Sequence, residues 1–196
     1  MPISVVSCHI DSVQKKYYTE VVGTDIHGTF DNSACTALLV TMMVWDRLNP
    51  QTIVVFTGNE ENGYAGARSA SRFIKKTEWL YHNLRFVVSL DLTNDFYGKK
   101  DFTIENIDEG EDRSITGGWF KEKLKEVSPK AGFVEDACPD DSWEYAKRKL
   151  SCFSLCLPCK NLGESMHDEK GVSIKIDSLL KYSMEMCQIL WLTDIL

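Results

Sequence analysis

The sequence predicts an α/β fold, a three-layer sandwich in which helices cover both faces of a central, mixed and mostly parallel sheet. Short apolar runs rich in β-branched residues predict buried strands, and segments with apolar residues at helical spacing alternate with them. Such alternation is typical of α/β proteins. The chain has 196 residues, 43% of them hydrophobic, and contains no internal repeat or low-complexity linker. We therefore expect residues 1–196 to form a single domain with an ample core.

The first half of the chain carries the strongest element signals. Residues 51–57 form a β-branched run that predicts a buried strand, and the apolar run over residues 84–90 predicts another. Cap residues around Asn32 precede a segment whose apolar positions follow the helical period. We expect, in order, a strand over residues 3–8, a helix over 33–48, a strand over 51–57, a helix over 65–76 and a strand over 84–90.

The second half is predicted to contain shorter elements. Residues 152–157 form an apolar run typical of a buried strand. Residues 115–127 predict a surface helix, and residues 177–192 predict a closing amphipathic helix. A short edge strand over residues 100–106 and a short helix over residues 141–149 complete the expected elements.

Charge and hydropathy exclude several classes of partner. The formal net charge is −7, and the basic residues are scattered, whereas a nucleic-acid partner would normally contact a basic face. No apolar run approaches the ~20 residues of a membrane span. The amino-terminal Met1-Pro2-Ile3-Ser4 lacks the basic start of a signal peptide. We therefore expect a cytoplasmic protein without a nucleic-acid or membrane partner, and the sequence does not indicate its oligomeric state.

The odd count of seven cysteines agrees with that expectation. Several of them lie in apolar strand or helix patterns, where a thiol behaves as a small hydrophobic group. Cys152, Cys156 and Cys159 leave a structural zinc knuckle open as a minor alternative. Such a knuckle needs paired short loops and a fourth ligand, whereas these residues follow one strand-like run. Core thiols are therefore the preferred interpretation.

Acidic and imidazole side chains stand at strand ends, at a helix start and in a late loop. They are His9, Asp31, Glu60, Glu61, Asp91 and His167. If the strands are parallel, their carboxyl ends share one edge of the sheet, and these side chains converge there. Taken singly, each has an ordinary alternative as a cap, turn or loop residue. Taken together, two imidazoles and three carboxylates form a ligand set for two zinc ions, with one carboxylate left as a base.

Asp11 belongs with this group because of its distance from His9 along the chain. Two residues apart in an extended segment, the two side chains point to the same side. A carboxylate in that place can orient a ligand imidazole. We therefore count Asp11 with Glu60 among the expected catalytic residues.

Five stretches spread over nearly the whole chain present the order His-x-Asp, Asp-Asn, Glu-Glu-x-Gly, strand-terminal Asp and late His. They are Cys8-His9-Ile10-Asp11, Asp31-Asn32-Ser33-Ala34, the stretch from Phe56 to Ala67, Ser89-Leu90-Asp91 and Glu164-Ser165-Met166-His167. In this order the sequence resembles the zinc-dependent exopeptidases. Within that superfamily it looks most like the two-zinc aminopeptidases of the bacterial leucyl and glutamyl aminopeptidase families.

The resemblance implies a role for each residue of the motif. His9 and Asp91 would bind one zinc ion, Glu61 and His167 would bind the other, and Asp31 would bridge the two ions. Glu60 would be the general base that accepts a proton from a water activated by the zinc ions. The resemblance also implies a cis peptide bond between Asp31 and Asn32.

The implied activity is hydrolysis of peptide or amide bonds, most simply by an aminopeptidase acting on peptides or aminoacyl compounds. The chain begins at the His9 strand, and the segment between His9 and Asp31 is too short for a lid insert. We also expect no dimerisation insert after Asp91. Two alternatives remain: a single-zinc acyltransferase of the glutaminyl cyclase kind, which shares the implied fold, and an inactive metal-binding module. The metal content of the protein distinguishes the three.

Overall fold

The computed structural model describes residues 2–13, 17–108, 119–135, 137–162 and 171–191. Strands and helices alternate along these residues. The strands are β1 (Ile3–His9), β2 (Thr19–Val22), β3 (Asp25–Gly28), β4 (Thr52–Thr57), β5 (Leu84–Thr93), β6 (Thr103–Asp108), β7 (Gly132–Phe133), β8 (Cys152–Lys160) and β9 (Val172–Lys175). The helices are α1 (Ser33–Val44), α2 (Ala65–Lys76), α3 (Glu78–Asn83), α4 (Trp119–Val127), α5 (Ser142–Ala146) and α6 (Ile176–Trp191).

All of the strands join one mixed sheet, with the order β2-β3-β9-β8-β5-β1-β4 along its main path. Its central strands are parallel, since β1 pairs with both β4 and β5, and β5 pairs with β8. Strand β6 pairs antiparallel with β8 and parallel with β7. On the other branch, β9, β3 and β2 extend the sheet from β8 in antiparallel pairs. Parallel β4, β1 and β5 place their carboxyl ends at one edge, as the sequence predicts.

Helices cover both faces of this sheet, which confirms the predicted fold class. Alternate side chains of β1 separate to the two faces, with Val6 and Cys8 in one apolar cluster and Val5 in the other. The first cluster includes Leu39 of α1, Leu124 of α4 and Met186 of α6. The second includes Ala67 of α2, Leu80 of α3 and Tyr145 of α5. The core therefore lies in two layers, one on each side of the strands that carry His9 and Asp91.

Several predicted bounds differ from the structure. Strand β5 continues past the predicted end at Leu90 to Thr93, because Leu92 is still buried in the core. Helix α1 ends at Val44, where the left-handed backbone of Asp46, with φ 51°, stops it before the predicted residue 48. Strand β6 is an interior strand between β8 and β7, so the prediction of an edge strand was wrong.

Other differences concern elements that were not predicted and parts that cannot be compared. The short strands β2, β3, β7 and β9 and helix α3 were not predicted. Residues 115–118 of the predicted surface helix and residue 192 of the closing helix lie outside the described residues. Within the described part of the chain, no helix combines the length and apolar character needed to cross a membrane.

The cysteines are free thiols, as the preferred interpretation expected. Cys152, Cys156 and Cys159 are all buried within the single strand β8. An extended strand cannot provide the paired short loops of a zinc knuckle, so that alternative is not supported.

Candidate metal centre

His9 is the last residue of the central strand β1, and its side chain is only 2% exposed. Its Nδ1 lies 3.2 Å from the backbone oxygen of Asp11, which fixes a proton on that nitrogen. Its Nε2 lies 3.4 Å from Asp31 Oδ1 and 3.5 Å from Asp91 Oδ1. The strand therefore aims one imidazole nitrogen between two carboxylates.

Helix α1 and strand β5 position the two carboxylates. Asp31 lies two residues before the start of α1, and its peptide bond to Asn32 is cis, as the resemblance implied. Asn32 is 1% exposed and donates a hydrogen bond of 2.6 Å from Nδ2 to the carbonyl oxygen of Leu90. Asp91 Oδ1 accepts a 2.8 Å bond from the N–H of Leu92. The start of α1 is thus attached to the strand that carries Asp91.

Glu60 and Glu61 follow β4 in a turn that Asp11 supports. Their backbone N–H groups donate to Asp11 Oδ1 and Oδ2 at 3.2 and 3.3 Å. Asp11 Oδ1 is 3.6 Å from His9 Nδ1, which is too long for a direct hydrogen bond. The carboxylate of Asp11 therefore holds the Glu60-Glu61 turn and lies at ion-pair distance from the imidazole, while its backbone oxygen accepts the hydrogen bond from His9 Nδ1.

The carboxyl groups of this centre are crowded. Burial raises the pKa of Glu60 to about 8, and the charge of Asp91 adds to the rise. Burial and the charge of Asp31 raise the pKa of Glu61 to about 7, and burial raises the pKa of Asp91 to about 7. Burial alone would lower the pKa of His9, but its contacts with Asp31 and Asp91 raise it instead. Burial is the largest cause of the three carboxyl shifts, and in each of them an excess of neighbouring negative charge adds to the rise.

A divalent cation fits this excess. Asp31 Oδ1 and Glu61 Oε1 are buried and have no hydrogen-bond partner. Ligand atoms of His9, Asp31 and Asp91 lie within 4.8 Å of one another, as do those of His9, Glu60 and Glu61. Imidazole and carboxylate are ligand types of zinc. The donor set of the described residues therefore suits a metal centre, whereas His167, expected as a further ligand, lies outside the described residues.

A cavity of about 210 Å³ opens beside the centre. It is lined by His9, Asp31, Glu60, Asp91, Leu92, Thr93, Asn94, Asp95, Glu105, Cys138, Pro139, Asp140, Cys156 and Leu162. Glu105 was not predicted as a site residue, although the alternation of Phe102 and Ile104 with Thr103 and Glu105 could have indicated a polar face of β6. That pattern alone does not tell a cavity from solvent.

Asp141 supports the centre from α5, the helix that begins one residue later. Its Oδ2 accepts a hydrogen bond from Thr57, the last residue of β4. Burial raises the pKa of Asp141 to about 6, although the bond from Thr57 opposes the rise. Strand β4, which leads to the Glu60-Glu61 turn, is thereby attached to α5.

Solved structures of low identity share this fold. The TET1 peptidase of Pyrococcus horikoshii matches with a TM-score of 0.64 and 17% identity, over 90% of this chain and 53% of that chain. Aminopeptidase APDkam598 from the archaeon Desulfurococcus kamchatkensis gives 0.64 and 15%, over 89% and 51%. A glutaminyl cyclase of an Acidobacteriales bacterium gives 0.60 and 19%, over 96% and 69%. The chain thus spans about half the length of the two peptidases.

Sequence comparison identifies the family. No curated protein matches the chain. A scan against protein-family models matches residues 3–182 to the peptidase family M28. This span includes the His9 strand, the Glu60-Glu61 turn and Asp91, which form the centre described above. By this match over most of its length, the chain belongs to peptidase family M28.

Proposed function

We propose that this chain is the catalytic domain of a metal-dependent aminopeptidase that uses two zinc ions. The observation that carries the proposal is the convergence of His9 Nε2 on Asp31 and Asp91, at 3.4 and 3.5 Å, beside the Glu60-Glu61 turn and an open cavity. Membership of a peptidase family supports the reaction class. The substrates are peptides or aminoacyl compounds with a free amino terminus.

Four described residues would hold the metal ions. His9 and Asp91 would bind one ion, Asp31 would bridge, and Glu61 would bind the other ion together with His167. When bound, zinc supplies a Lewis acid that polarises the scissile carbonyl and lowers the pKa of a coordinated water. The buried Oε1 of Glu61, which has no hydrogen-bond partner, and the buried Oδ1 of Asp31, which faces His9 Nε2, support this assignment.

Glu60 is placed to move protons. It lines the cavity, and its backbone is fixed by Asp11, so its carboxylate can reach a substrate while the adjacent Glu61 faces the ligand group. Burial and the charge of Asp91 raise the pKa of Glu60 in the metal-free protein, and bound zinc ions would lower it again, which leaves the carboxylate free to accept a proton. It would accept a proton from the attacking water and deliver it to the leaving nitrogen.

The glutaminyl cyclase alternative makes a different prediction about metal content. The likeness to a glutaminyl cyclase is one of fold. A single-zinc acyltransferase would not require His9 as a ligand, yet His9 is the residue with the most direct contacts to the other candidate ligands. This geometry favours the two-zinc hydrolase.

The test is a zinc titration of chelator-treated protein by calorimetry, with elemental analysis of the loaded sample. Hydrolysis of a panel of aminoacyl amides is followed in parallel. We expect two zinc ions per chain and amide hydrolysis that depends on them. One zinc ion with cyclisation of amino-terminal glutamine would establish the acyltransferase instead, and the absence of zinc binding would refute both enzymes.

A further inference from the structure

Glu105 is a buried carboxylate in the cavity to which the proposed mechanism gives no role. It is 4% exposed, and its Oε1 accepts a hydrogen bond from Thr103 Oγ1. Phe102, which directly precedes β6, and Ile104 within β6 point to the opposite face and pack in the core. Polar residues of β6 therefore face the cavity, and Glu105 forms part of its wall.

The sheet register places Glu105 across the cavity from the metal centre. Asp91 pairs with Cys156, and Cys156 pairs with Thr103, so these residues form one row across β5, β8 and β6. Adjacent strands are about 4.8 Å apart, so the backbone of Thr103 lies roughly 10 Å from that of Asp91. Glu105 follows two residues later on the same face. Its carboxylate is therefore remote from the ligand group.

The wall of the cavity opposite the metal centre, called the far wall, includes Asp95, Glu105 and Asp140 and carries negative charge that the two metal ions would not neutralise. Two zinc ions would balance the carboxylates of Asp31, Glu60, Glu61 and Asp91. Asp95, Glu105 and Asp140 also line the cavity, and none of the described lining residues is Lys or Arg. Burial raises the pKa of Glu105 to about 7, and the charges of Asp140 and Asp95 contribute, while hydrogen bonds from Thr103 and Thr93 act against the rise. A bound cation would stabilise the ionised carboxylate.

We propose that Glu105 determines substrate specificity, by binding the positively charged side chain of a basic amino-terminal residue, lysine or arginine. This inference rests on the proposed aminopeptidase function and names its substrate class. Asp95 and Asp140 strengthen the negative potential at the same wall.

The position of Glu105 selects the side chain over the α-ammonium group as its ligand. The α-ammonium is one carbon from the scissile carbonyl and so must lie beside the metal centre. The ammonium of lysine stands on a flexible four-carbon stem and can cross to the far wall. An acidic side chain would instead meet Glu105, Asp95 and Asp140 and be rejected by like charge.

Binding of reaction products tests the proposal without turnover. L-lysine and L-norleucine, which has an uncharged side chain of similar length, are titrated into the zinc-loaded protein by calorimetry. We expect lysine to bind 10–100-fold more tightly than norleucine, as for a hydrogen bond to a charged group. Equal affinities in the wild-type protein would overturn the specificity role.

Variants assign the preference to the residue. Glu105→Gln should reduce the ratio of lysine affinity to norleucine affinity at least tenfold, while its affinity for norleucine stays unchanged. Glu185→Gln is the matched control, because Glu185 is a half-buried carboxylate that accepts a hydrogen bond from a hydroxyl group, that of Ser128, but stands on α6 away from the cavity. A Glu105→Gln variant that keeps the lysine preference, or that weakens both ligands equally, contradicts the proposal.

Turnover separates this proposal from the proposed function. The kcat/KM for lysyl and arginyl amides should exceed that for leucyl and glutamyl amides. Glu105→Gln should reduce kcat/KM for the basic amides only. Hydrolysis without a basic preference defeats the specificity role and leaves the aminopeptidase intact. A Glu105-dependent lysine preference in binding, with no hydrolysis of any amide, defeats the aminopeptidase and leaves the specificity role intact.

Discussion

Glu60 and Glu61 are adjacent in the chain and share the support of Asp11, but their surroundings differ. Glu60 lines the cavity, and its pKa is raised to about 8 by burial and by Asp91. Glu61 does not line the cavity, and its Oε1 is buried without a hydrogen-bond partner. These surroundings suit a base at Glu60, which must reach substrate, and a metal ligand at Glu61.

Substitution separates the two roles. Glu60→Gln removes the proton acceptor but keeps the shape of the side chain, so hydrolysis should fall about 10²–10⁴-fold with both metal ions retained. Glu61→Gln should lose one metal ion, because an amide is a poor replacement for an anionic ligand. Metal analysis and amide turnover of both variants provide the measurement. Glu20→Gln, at an exposed position of β2, is the control.

The opposite pattern would reverse the assignment. If Glu60→Gln loses metal while Glu61→Gln keeps both ions, Glu60 is the ligand. If neither substitution changes turnover or metal content, the pair is an ordinary turn.

At the level of elements, helix α2 packs directly on the turn that carries this pair. A Cβ on Gly66 would lie 2.5 Å from the backbone nitrogen of Gly58 and 2.6 Å from its oxygen. A backbone contact of this kind cannot move aside as a flexible side chain can. The first turn of α2 therefore fixes the path of the chain between β4 and the Glu60-Glu61 pair.

Gly66→Ala should displace this turn. In an ordinary helix, alanine would stabilise by about 1 kcal/mol relative to glycine, but here we expect destabilisation of about 1–3 kcal/mol from overpacking. Turnover should fall by up to 100-fold, since a misplacement of about 1 Å can have that effect. Thermal unfolding and amide turnover are measured.

Gly58→Ala supplies the matched control, because a Cβ there meets nothing within 4 Å and its φ is not in the left-handed region. It should remain close to wild type in stability and turnover. A Gly66→Ala protein as stable and active as wild type would mean that α2 does not determine the position of the pair.

Helices α2 and α5 are joined by a buried ion-pair group. Glu144 is 2% exposed, and its carboxylate contacts Arg68 of α2 at 3.3 Å and Lys147 and Arg148 at 2.9 Å. Burial acts to raise the pKa of Glu144, but hydrogen bonds from the three cations lower it to about 2. Because α5 follows Asp141, this group also holds the residue that contacts Thr57.

Glu144→Gln should lower the free energy of unfolding by about 2 kcal/mol at pH 7, as for hydrogen bonds to a charged group. The folded pKa is depressed, so the contribution is present above the unfolded value of about 4.3 and is lost as pH falls toward 2. Denaturant unfolding at pH 7 and pH 3 should show a smaller difference at pH 3. Glu135→Gln removes an exposed ion pair with Lys121 and is the control, which should leave stability close to that of the wild type at both pH values.

Sequence patterns predict the long elements that bury apolar side chains and miss several of the short ones, such as β9, whose Val172 and Ile174 are buried. Strand β5 and helix α2 are indicated by their composition, whereas the residues of β2 are all exposed and its pattern does not differ from a loop. The convergence of His9 and Asp91 could be expected from parallel strand ends. The use of Asp11 to hold the Glu60-Glu61 turn could not, because it depends on where two distant backbone N–H groups meet in space.

At the level of the whole molecule, the acidic centre opposes folding when no cation is bound. The carboxyl groups of Glu60, Glu61, Asp91 and Glu105 all have raised pKa values, of about 7 to 8, with burial as the largest cause. Such groups take up protons on folding, so stability falls as pH rises from about 4 toward those values. The raised pKa of His9 has the same sign, because its stabilisation is present below about 6.5 and is lost as the imidazole deprotonates.

We therefore expect the metal-free protein to lose at least about 1 kcal/mol between pH 5 and pH 8, or roughly 2–4 °C in Tm. Bound zinc should reverse this pH dependence, so that stability rises from pH 5 to pH 8. At a hundred times its Kd it adds about 2.7 kcal/mol, and it binds more weakly at pH 5, where the ligands hold protons. Thermal scans with and without zinc at the two pH values are compared. Metal-free stability that rises from pH 5 to pH 8 would contradict the charge balance described above.

The cavity is assembled from two consecutive parts of the chain. Among the described residues, the candidate ligands and the base all precede residue 94, while Asp95, Glu105, Cys138, Asp140 and Cys156 form the remaining wall. In the proposed roles, the described catalytic residues and the specificity wall therefore lie in separate stretches of the chain, with His167 as the proposed ligand that belongs to the later stretch. If the proposed specificity is correct, substitutions in the later stretch would change which amino-terminal residue is accepted without altering the catalytic carboxylates. This separation gives the fold a direct route to new substrate preferences during evolution.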